Sequence, residues 1–395
     1  MLKIVFFLLF FSYSSFAQTN SPLTRAEVQK MIDQKYANEW YNKINIKGYA
    51  QVRYNRLLET NKDLNCTACD KSIGDKQGLM LRRGRIVLFG EANERVYFYV
   101  QPDYGTDAGS SQHYFQIRDA YFDYALTSSK DFRIRSGLSK IPYGFQNLQS
   151  SSNRGPLDRD DGMNSGVPNE RDLGVFFMYS PTEIRKRFKQ LTSNNLKGTG
   201  DYGMFAIGAY NGQSLNKAEK NNDLHRVVRL TYPFQTEGGQ FIEASVQAFE
   251  GKFFVDNKDH YEQRTAASLV FYPQPFGFQI EYNVGVGPEF DAGSNEVEVK
   301  KLKGGYAMVN YQFEYQGNRF FPFVRYQKYD GGRKTDDHAR SYDTNEWEIG
   351  TEWQPNNAFE LTASYAIADR VYQSTQTDRT HEKGSFLRLQ AQFNY

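Results

Sequence analysis

Phe278-Gln279-Ile280-Glu281-Tyr282-Asn283-Val284 decides the fold. Every second residue is apolar, and the residues between them are polar. Side chains alternate between faces along a β-strand, so this segment has one greasy face and one polar face. The pattern returns along the chain. Ile242, Ala244, Val246 and Ala248 alternate with Glu243, Ser245 and Gln247, and Trp347, Ile349 and Trp353 stand against Glu346, Glu348 and Glu352. From Ile46 onward about sixteen such segments follow one another, most of them near the ~9–11 residues that a tilted strand needs to cross a bilayer.

The connections alternate in length. Those at 90–94, 127–130, 233–239, 273–275, 316–318 and 355–357 are short. Those at 57–79, 105–113, 140–171, 212–223, 251–261, 287–303, 331–342 and 368–383 are longer and rich in Gly, Asp, Asn and Lys. Short turns on one side and long loops on the other describe a transmembrane antiparallel β-barrel. A soluble sandwich array or propeller also alternates, but a propeller would repeat at a fixed period, and none is present. Tyr97, Tyr99, Tyr104, Tyr121, Tyr124, Trp347 and Trp353 lie near segment ends, as expected of interfacial girdles. The last strand sets Leu387, Leu389, Ala391, Phe393 and Tyr395 on one face and stops on an aromatic, which resembles a barrel-assembly signal.

Composition agrees with an all-β chain. Among 395 residues there are 28 Tyr, 31 Phe and 3 Trp, too many aromatics for disorder. A mean hydropathy of −0.69 is too polar for a helical membrane protein. The net charge of +2 argues against a nucleic-acid partner.

Residues 1–17 read as a cleaved signal peptide. Lys3 precedes the apolar run 4–11, and Ser15-Phe16-Ala17 forms a small-x-small cleavage site. Residues 18–45 read as a short N-terminal periplasmic helical segment. Within it Thr24 and Glu27 have the spacing of a capping box, and Val28, Met31 and Ile32 recur at helical spacing. Residues 46–395 are assigned to the barrel. About 22 residues per strand and connection then suit a water-filled porin, with no room for a plug domain before the first strand.

Several stretches in series resemble the phosphate-selective porin O and P family: Gly48-Tyr49-Ala50-Gln51-Val52-Arg53-Tyr54, Leu81-Arg82-Arg83-Gly84-Arg85-Ile86, Ile117-Arg118-Asp119-Ala120-Tyr121-Phe122-Asp123-Tyr124, the run from Arg135 to Gly144, and Glu170-Arg171-Asp172-Leu173-Gly174-Val175. The resemblance implies a 16-stranded homotrimeric channel in the outer membrane of a Gram-negative bacterium. It also implies a third long loop folded into the lumen and anion passage along basic walls. Substrates vary within the family.

Parity selects the lumen face, because a charge facing lipid at mid-membrane costs ~2–4 kcal/mol. It sends Lys47, Gln51, Arg53, Arg83, Arg85, Arg133 and Arg135 inward and leaves Arg118 ambiguous, since Asp119 and Asp123 have the opposite parity. Arg229, Arg264, Arg325 and Arg388 follow later, with Glu243, Glu281, Glu314, Glu346, Glu348, Glu352 and Glu360. One wall therefore reads as basic and the other as acidic. Residues 144–171 read as the constriction loop, with Lys140 at its start and Arg154 and Arg159 within it, although the loop itself is net negative. The expected anion-binding set is thus Arg53, Arg83, Arg85, Arg118, Arg133, Arg135, Lys140, Arg154 and Arg159.

The remaining chemistry is sparse. Cys66 and Cys69 are expected to form a tight loop disulfide, since two ligands do not make a zinc site. The five histidines lack metal spacing, and Asp158 to Gly162 misses the EF-hand pattern, so no metal or cofactor is expected. The sequence points to a non-enzymatic porin for small hydrophilic solutes in outer-membrane lipid, leaning to anions such as phosphate. The alternatives are a general porin of weak ion selectivity, a non-conducting scaffold or adhesin barrel, and a barrel lipase.

Overall fold

The computed structural model describes residues 23–37, 40–64, 78–106 and 113–395. The proposed signal peptide and the Cys66–Cys69 pair lie outside the described residues. The chain divides into two units, Met1–Lys43 and Ile44–Tyr395.

In the first unit, helix α1 spans Arg25–Ala37. Its start is the capping box expected from the sequence: the Thr24 amide donates to Glu27 Oε2 at 2.8 Å, and the Glu27 amide donates to Thr24 Oγ1 at 3.3 Å. A separate 3-10 turn covers Trp40–Lys43.

The second unit is a closed antiparallel sheet. Its strands are β1 (Asn45–Leu57), β2 (Leu79–Glu91), β3 (Val96–Gly105), β4 (Tyr114–Ala125), β5 (Phe132–Lys140), β6 (Arg171–Tyr179), β7 (Phe205–Tyr210), β8 (His225–Gln235) and β9 (Phe241–Val255). They continue with β10 (Lys258–Phe271), β11 (Phe276–Asp291), β12 (Glu296–Tyr311), β13 (Phe313–Tyr315), β14 (Asn318–Gly332), β15 (Ser341–Asn356), β16 (Phe359–Gln373) and β17 (Thr380–Asn394). Each pairs with the next around the ring. β12 and β13 both pair with β14, as one strand interrupted at Gln312, which leaves sixteen positions. Pairing of β1 with β17, from Tyr49↔Asn394 to Leu57↔Leu387, closes the barrel. Closure removes every sheet edge, which an open sheet in lipid could not satisfy.

Alternation explains why these residues form a barrel. In β8, Val228, Leu230 and Tyr232 are exposed on the outside, while Arg229 and Thr231 are buried inside. The short-turn rim carries outward aromatic pairs: Tyr232–Phe234 at 4.6 Å, Phe132–Tyr179 at 4.6 Å and Phe313–Phe320 at 5.2 Å between ring centroids. These form an interfacial girdle. Of the expected girdle residues, Tyr104, Tyr124 and Trp347 do face outward. Tyr97, Tyr99 and Tyr121 instead line the lumen, because they share parity with Gln101 and Asp123.

Two expected loops are mostly strand. β9 and β10 meet at the two-residue turn Asp256-Asn257, both at positive φ (51° and 60°), and β11 and β12 run on to a turn at 292–295. In β12 this stretch exposes Glu296, Glu298, Lys301 and Lys303 while Val297 and Leu302 are buried, a polar surface that places the ladder's extension beyond the apolar belt. Conversely, the connection 180–204 on the short-turn rim contains helix α4 (Thr182–Ser193).

Closure depends on one close approach. A Cβ on Gly48 would lie 2.3 Å from the Arg85 carbonyl and 2.5 Å from the Tyr395 ring, and the Tyr395 hydroxyl donates to that same carbonyl at 3.0 Å. Gly48→Val should therefore displace the terminal ring and cost ~1–3 kcal/mol by overpacking. Thermal unfolding in detergent checks this, and an unchanged midpoint would contradict it.

Candidate functional site

Inward-facing side chains come from strand parity, with one local exception. Gln101 pairs with Asp119, but Pro102 pairs with Ile117. The extra residue is a β-bulge that lets Arg118 and Asp119 both point inward. The ambiguity at Arg118 is thus resolved by geometry that a period-2 reading cannot contain. Most of the other parity assignments sit buried on the lumen face, while Glu314 is exposed at the rim beside Arg319, 3.5 Å away.

Residues 144–171 fold inward, carrying helices α2 (Phe145–Leu148) and α3 (Asp161–Gly166). The α2 amides of Phe145 and Gln146 donate to Glu281 of β11 at 2.5 and 3.2 Å. Asp160 caps α3 by accepting from the Met163 amide at 3.0 Å. A Cβ on Gly162 would lie 2.8 Å from the backbone of Gly304 and Gly305, so only glycine lets α3 rest on β12. Lys140 donates to the carbonyls of Leu148 and Gln149 at 2.7 and 2.8 Å, and Arg159 reaches those of Gln146 and Gln149 at 3.1 and 3.0 Å. The Asp158–Gly162 run is thus a capped turn held by hydrogen bonds, and no cluster of potential metal ligands occurs among the described residues.

The charges do not separate into a basic wall and an acidic wall. Arg85 pairs with Asp103 (3.0 Å), Arg135 with Asp123 (2.7 Å), Arg133 with Asp201 (2.6 Å) and Arg171 with Asp119 (2.9 Å). Across the ring, Glu348 receives Arg325 at 2.6 Å and Arg388 at 2.7 Å, and Arg229 meets Glu243 at 3.2 Å. The loop's acids are used in the same way. Asp158 receives Arg53 at 3.1 Å, Arg388 at 2.5 Å and Arg82 at 3.8 Å, and Asp161 receives Arg333 at 2.5 Å. Glu170 receives Arg118 at 3.1 Å, Arg159 at 2.5 Å and Arg171 at 2.7 Å. Burial alone would raise the Asp158 and Glu170 carboxyls, but these guanidinium groups hold both well below the ordinary carboxylate range.

Two members of the expected set differ from the rest. Arg83, buried, has no hydrogen bond or ion pair among the described residues, and Arg154 reaches only the Leu157 carbonyl at 3.0 Å. Both line a cavity of about 350 Å³ with Arg82, Arg85, Arg118, Arg159 and Arg333, against the acids Asp103, Asp158, Glu170 and Asp336. On the short-turn side, a second cavity of about 910 Å³ is lined by Lys47, Arg133, Arg135, Lys140 and Arg171, and by Arg185 and Lys189 of α4.

Sequence reasoning missed the acidic partners Asp103 and Asp201 and the inward connection 180–204. Ile184, Phe188 and Leu191 recur at helical spacing inside a basic run, and that signal was available.

A closed barrel with an apolar outside, a charged inside and an inward-folded loop is an outer-membrane porin, and its fold and family point to a channel rather than an enzyme. The chain belongs to the phosphate-selective porin O and P family, whose model matches residues 58–260 and 248–395. Among solved structures it is similar to an OmpF of Salmonella typhi (15% identity, 89% of this chain and 97% of the other, TM-score 0.58). It is also similar to the outer-membrane channel DcaP of Acinetobacter baumannii (15%, 89% and 97%, TM-score 0.55) and to an anion-selective porin from Comamonas acidovorans (9%, 89% and 99%, TM-score 0.51). At these identities the likeness is one of fold. No curated protein matches the sequence.

Proposed function

We propose that the porin passes small hydrophilic solutes with a preference for anions, phosphate among them, and that Arg83 and Arg154 are the groups that confer it. The observation that carries this reading is their lack of a carboxylate partner in a lumen where most arginines have one. A guanidinium already paired offers a passing anion little net charge, whereas a free one offers a bidentate site. Two such sites above Lys140 would bind weakly and in succession, as conduction requires. The family's phosphate selectivity and the anion selectivity of the Comamonas neighbour support the same direction.

The loop 144–171 would narrow the lumen. A homotrimer in outer-membrane lipid is proposed with it, in keeping with the trimer form of Vibrio cholerae OmpT, a neighbour of similar fold at 10% identity and TM-score 0.51. Export by the 1–17 signal belongs to the same proposal, as does the anion-lining role of Arg53, Arg85, Arg118, Arg133, Arg135, Lys140 and Arg159. A second reading, a general porin of weak selectivity, is favoured by the extensive pairing of those same arginines.

Reversal potential in planar bilayers under a KCl gradient, repeated with phosphate as a blocker, separates the two. Wild type should prefer anions, and R83A/R154A should lower the anion-to-cation permeability ratio about threefold or more, since one charge ~6 Å from an ion in water contributes ~0.7 kcal/mol. A cation preference in wild type, or no change in the double variant, leaves the general porin standing.

A further inference from the structure

The connection between β6 and β7 is unlike its neighbours on the same rim. The other turns there occupy 92–95, 126–131, 236–240, 272–275, 316–317 and 357–358, while this one occupies 180–204. Short turns mark the periplasmic rim of such barrels. The segment enters the barrel instead of projecting from it. Ile184, Phe188 and Leu191 of α4 are buried with Leu196 against Phe241 and Val270 of the β9–β10 wall, Tyr272 of the turn that follows it and Phe145 of the constriction loop.

Beyond α4 the chain crosses the lumen. Lys197 Nζ lies 2.6 Å from Glu352 of β15 and over the ring of Phe321 of β14, with both charged side chains almost wholly buried. β15 stands across the ring from β7. Along the crossing, Gln149 donates to the Lys197 carbonyl at 2.5 Å, and Asn153 donates to that of Gly198 at 3.0 Å. On the return, Asp201 pairs with Arg133 at 2.6 Å, and the Tyr202 ring covers Arg135, which also lies 4.0 Å from the Tyr121 ring. The segment is therefore a strap anchored at three walls and to the constriction loop. Its exposed flank presents Lys189 to the larger cavity, beside Arg185, which lies 3.7 Å from Asp201.

We infer that this strap is a second selectivity element, a periplasmic filter in series with the constriction loop. Lys197 is the positioning residue that holds it across the lumen, and Lys189 is the charge that meets the solute. The inference rests on the porin reading and deepens its anion preference. Every ion that passes the upper arginines must pass beside this helix to leave the barrel. A chain segment spanning the lumen also reduces the open cross-section whatever its charge.

The test uses the full-length protein in planar bilayers at about 0.1 M KCl, where screening is limited to about 10 Å. Replacing 181–203 by a two-residue turn, which the pairing of Tyr179 with Phe205 can accept, should raise single-channel conductance at least twofold. K197A should raise it by a smaller factor, and K197R, which keeps the pair with Glu352, should restore it. K189E changes an exposed side chain with no hydrogen bond or ion pair among the described residues, so folding is preserved. It should lower the anion-to-cation permeability ratio about threefold. If the strap deletion fails to assemble, K197A and K189E decide. Wild-type conductance in the strap deletion and in K197A, together with an unchanged ratio in K189E, would overturn the inference. If R83A/R154A still loses anion preference, the proposed function survives that failure. If R83A/R154A changes nothing while the strap variants respond, the upper arginines are wrong and the filter stands.

Discussion

Replacing Asp158 with alanine is expected to destabilise the barrel by ~3 kcal/mol and to raise single-channel conductance about twofold. Asp158 is the point where the constriction loop meets three strands: Arg53 of β1, Arg82 of β2 and Arg388 of β17 all reach it. Arg388 keeps Glu348 without it, but Arg53 retains only Gln390 and the Leu157 carbonyl. Removing one partner of a buried ion pair costs ~3–5 kcal/mol because the other charge is left uncompensated, and lumen water brings the figure to the lower end. The loop then loses its hold on the β1–β17 seam and opens the cross-section. Because the Asp158 carboxyl is held below its ordinary value, its stabilisation is complete above the unfolded aspartate pKa of about 3.9 and is lost only as pH falls toward the depressed one. The difference between wild type and D158A should therefore be constant from about pH 5 to pH 8 and shrink in strong acid. Asp158→Asn, which keeps the shape, should recover part of the packing but not the charge. Thermal unfolding and conductance that match wild type in both variants would refute this role.

What could be read in the sequence, and what could not, follows from the range of each signal. Alternation is local and survives in every strand, so Phe278 to Val284 and its counterparts gave the barrel and the inward set without coordinates. The capping box at Thr24 and Glu27 is equally local and is present. Pairing is not local. Arg53 and Asp158 are 105 residues apart, and Lys197 and Glu352 are 155 apart. No spacing rule announces which arginine will be neutralised. The basic and acidic walls expected from the sequence do not form because the early arginines meet acids on nearby strands, Arg85 with Asp103, Arg171 with Asp119 and Arg135 with Asp123, while the bulge at Arg118 brings that residue inward beside Asp119. The strap at 180–204 escaped for a different reason. Its helical period lies inside a row of period-2 segments, and a β-barrel sets the expectation of a short turn there.

Glu170 is where the loop's charge and its backbone strain coincide, and Glu170→Gln is expected to raise the anion-to-cation permeability ratio about threefold. Asn169 and Glu170 both adopt left-handed backbone, at φ 63° and 64°. Outside glycine this conformation costs of order 1–3 kcal/mol and persists only where the surroundings over-determine it. Here the surroundings are three guanidinium groups, from Arg118, Arg159 and Arg171, converging on one carboxylate. Glu170 lines the upper cavity and Arg171 the lower, so the cluster sits on the seam that a solute must cross. Glutamine keeps an acceptor for these donors and removes one negative charge. Arg171 still has Asp119, and Arg118 has Asp103 at 3.9 Å, but Arg159 is left with backbone carbonyls alone. The seam therefore gains one net positive charge, which at ~6 Å in water favours a passing anion by ~0.7 kcal/mol, about threefold. Glu170→Gly makes the same charge change while relieving the left-handed strain. It should match the glutamine variant in selectivity and exceed it in thermal stability. Reversal potentials under a KCl gradient measure the first effect, and unfolding in detergent measures the second. A shift toward cations, or identical reversal potentials in wild type and both variants, would show that the carboxylate at the seam carries no weight in choosing the ion.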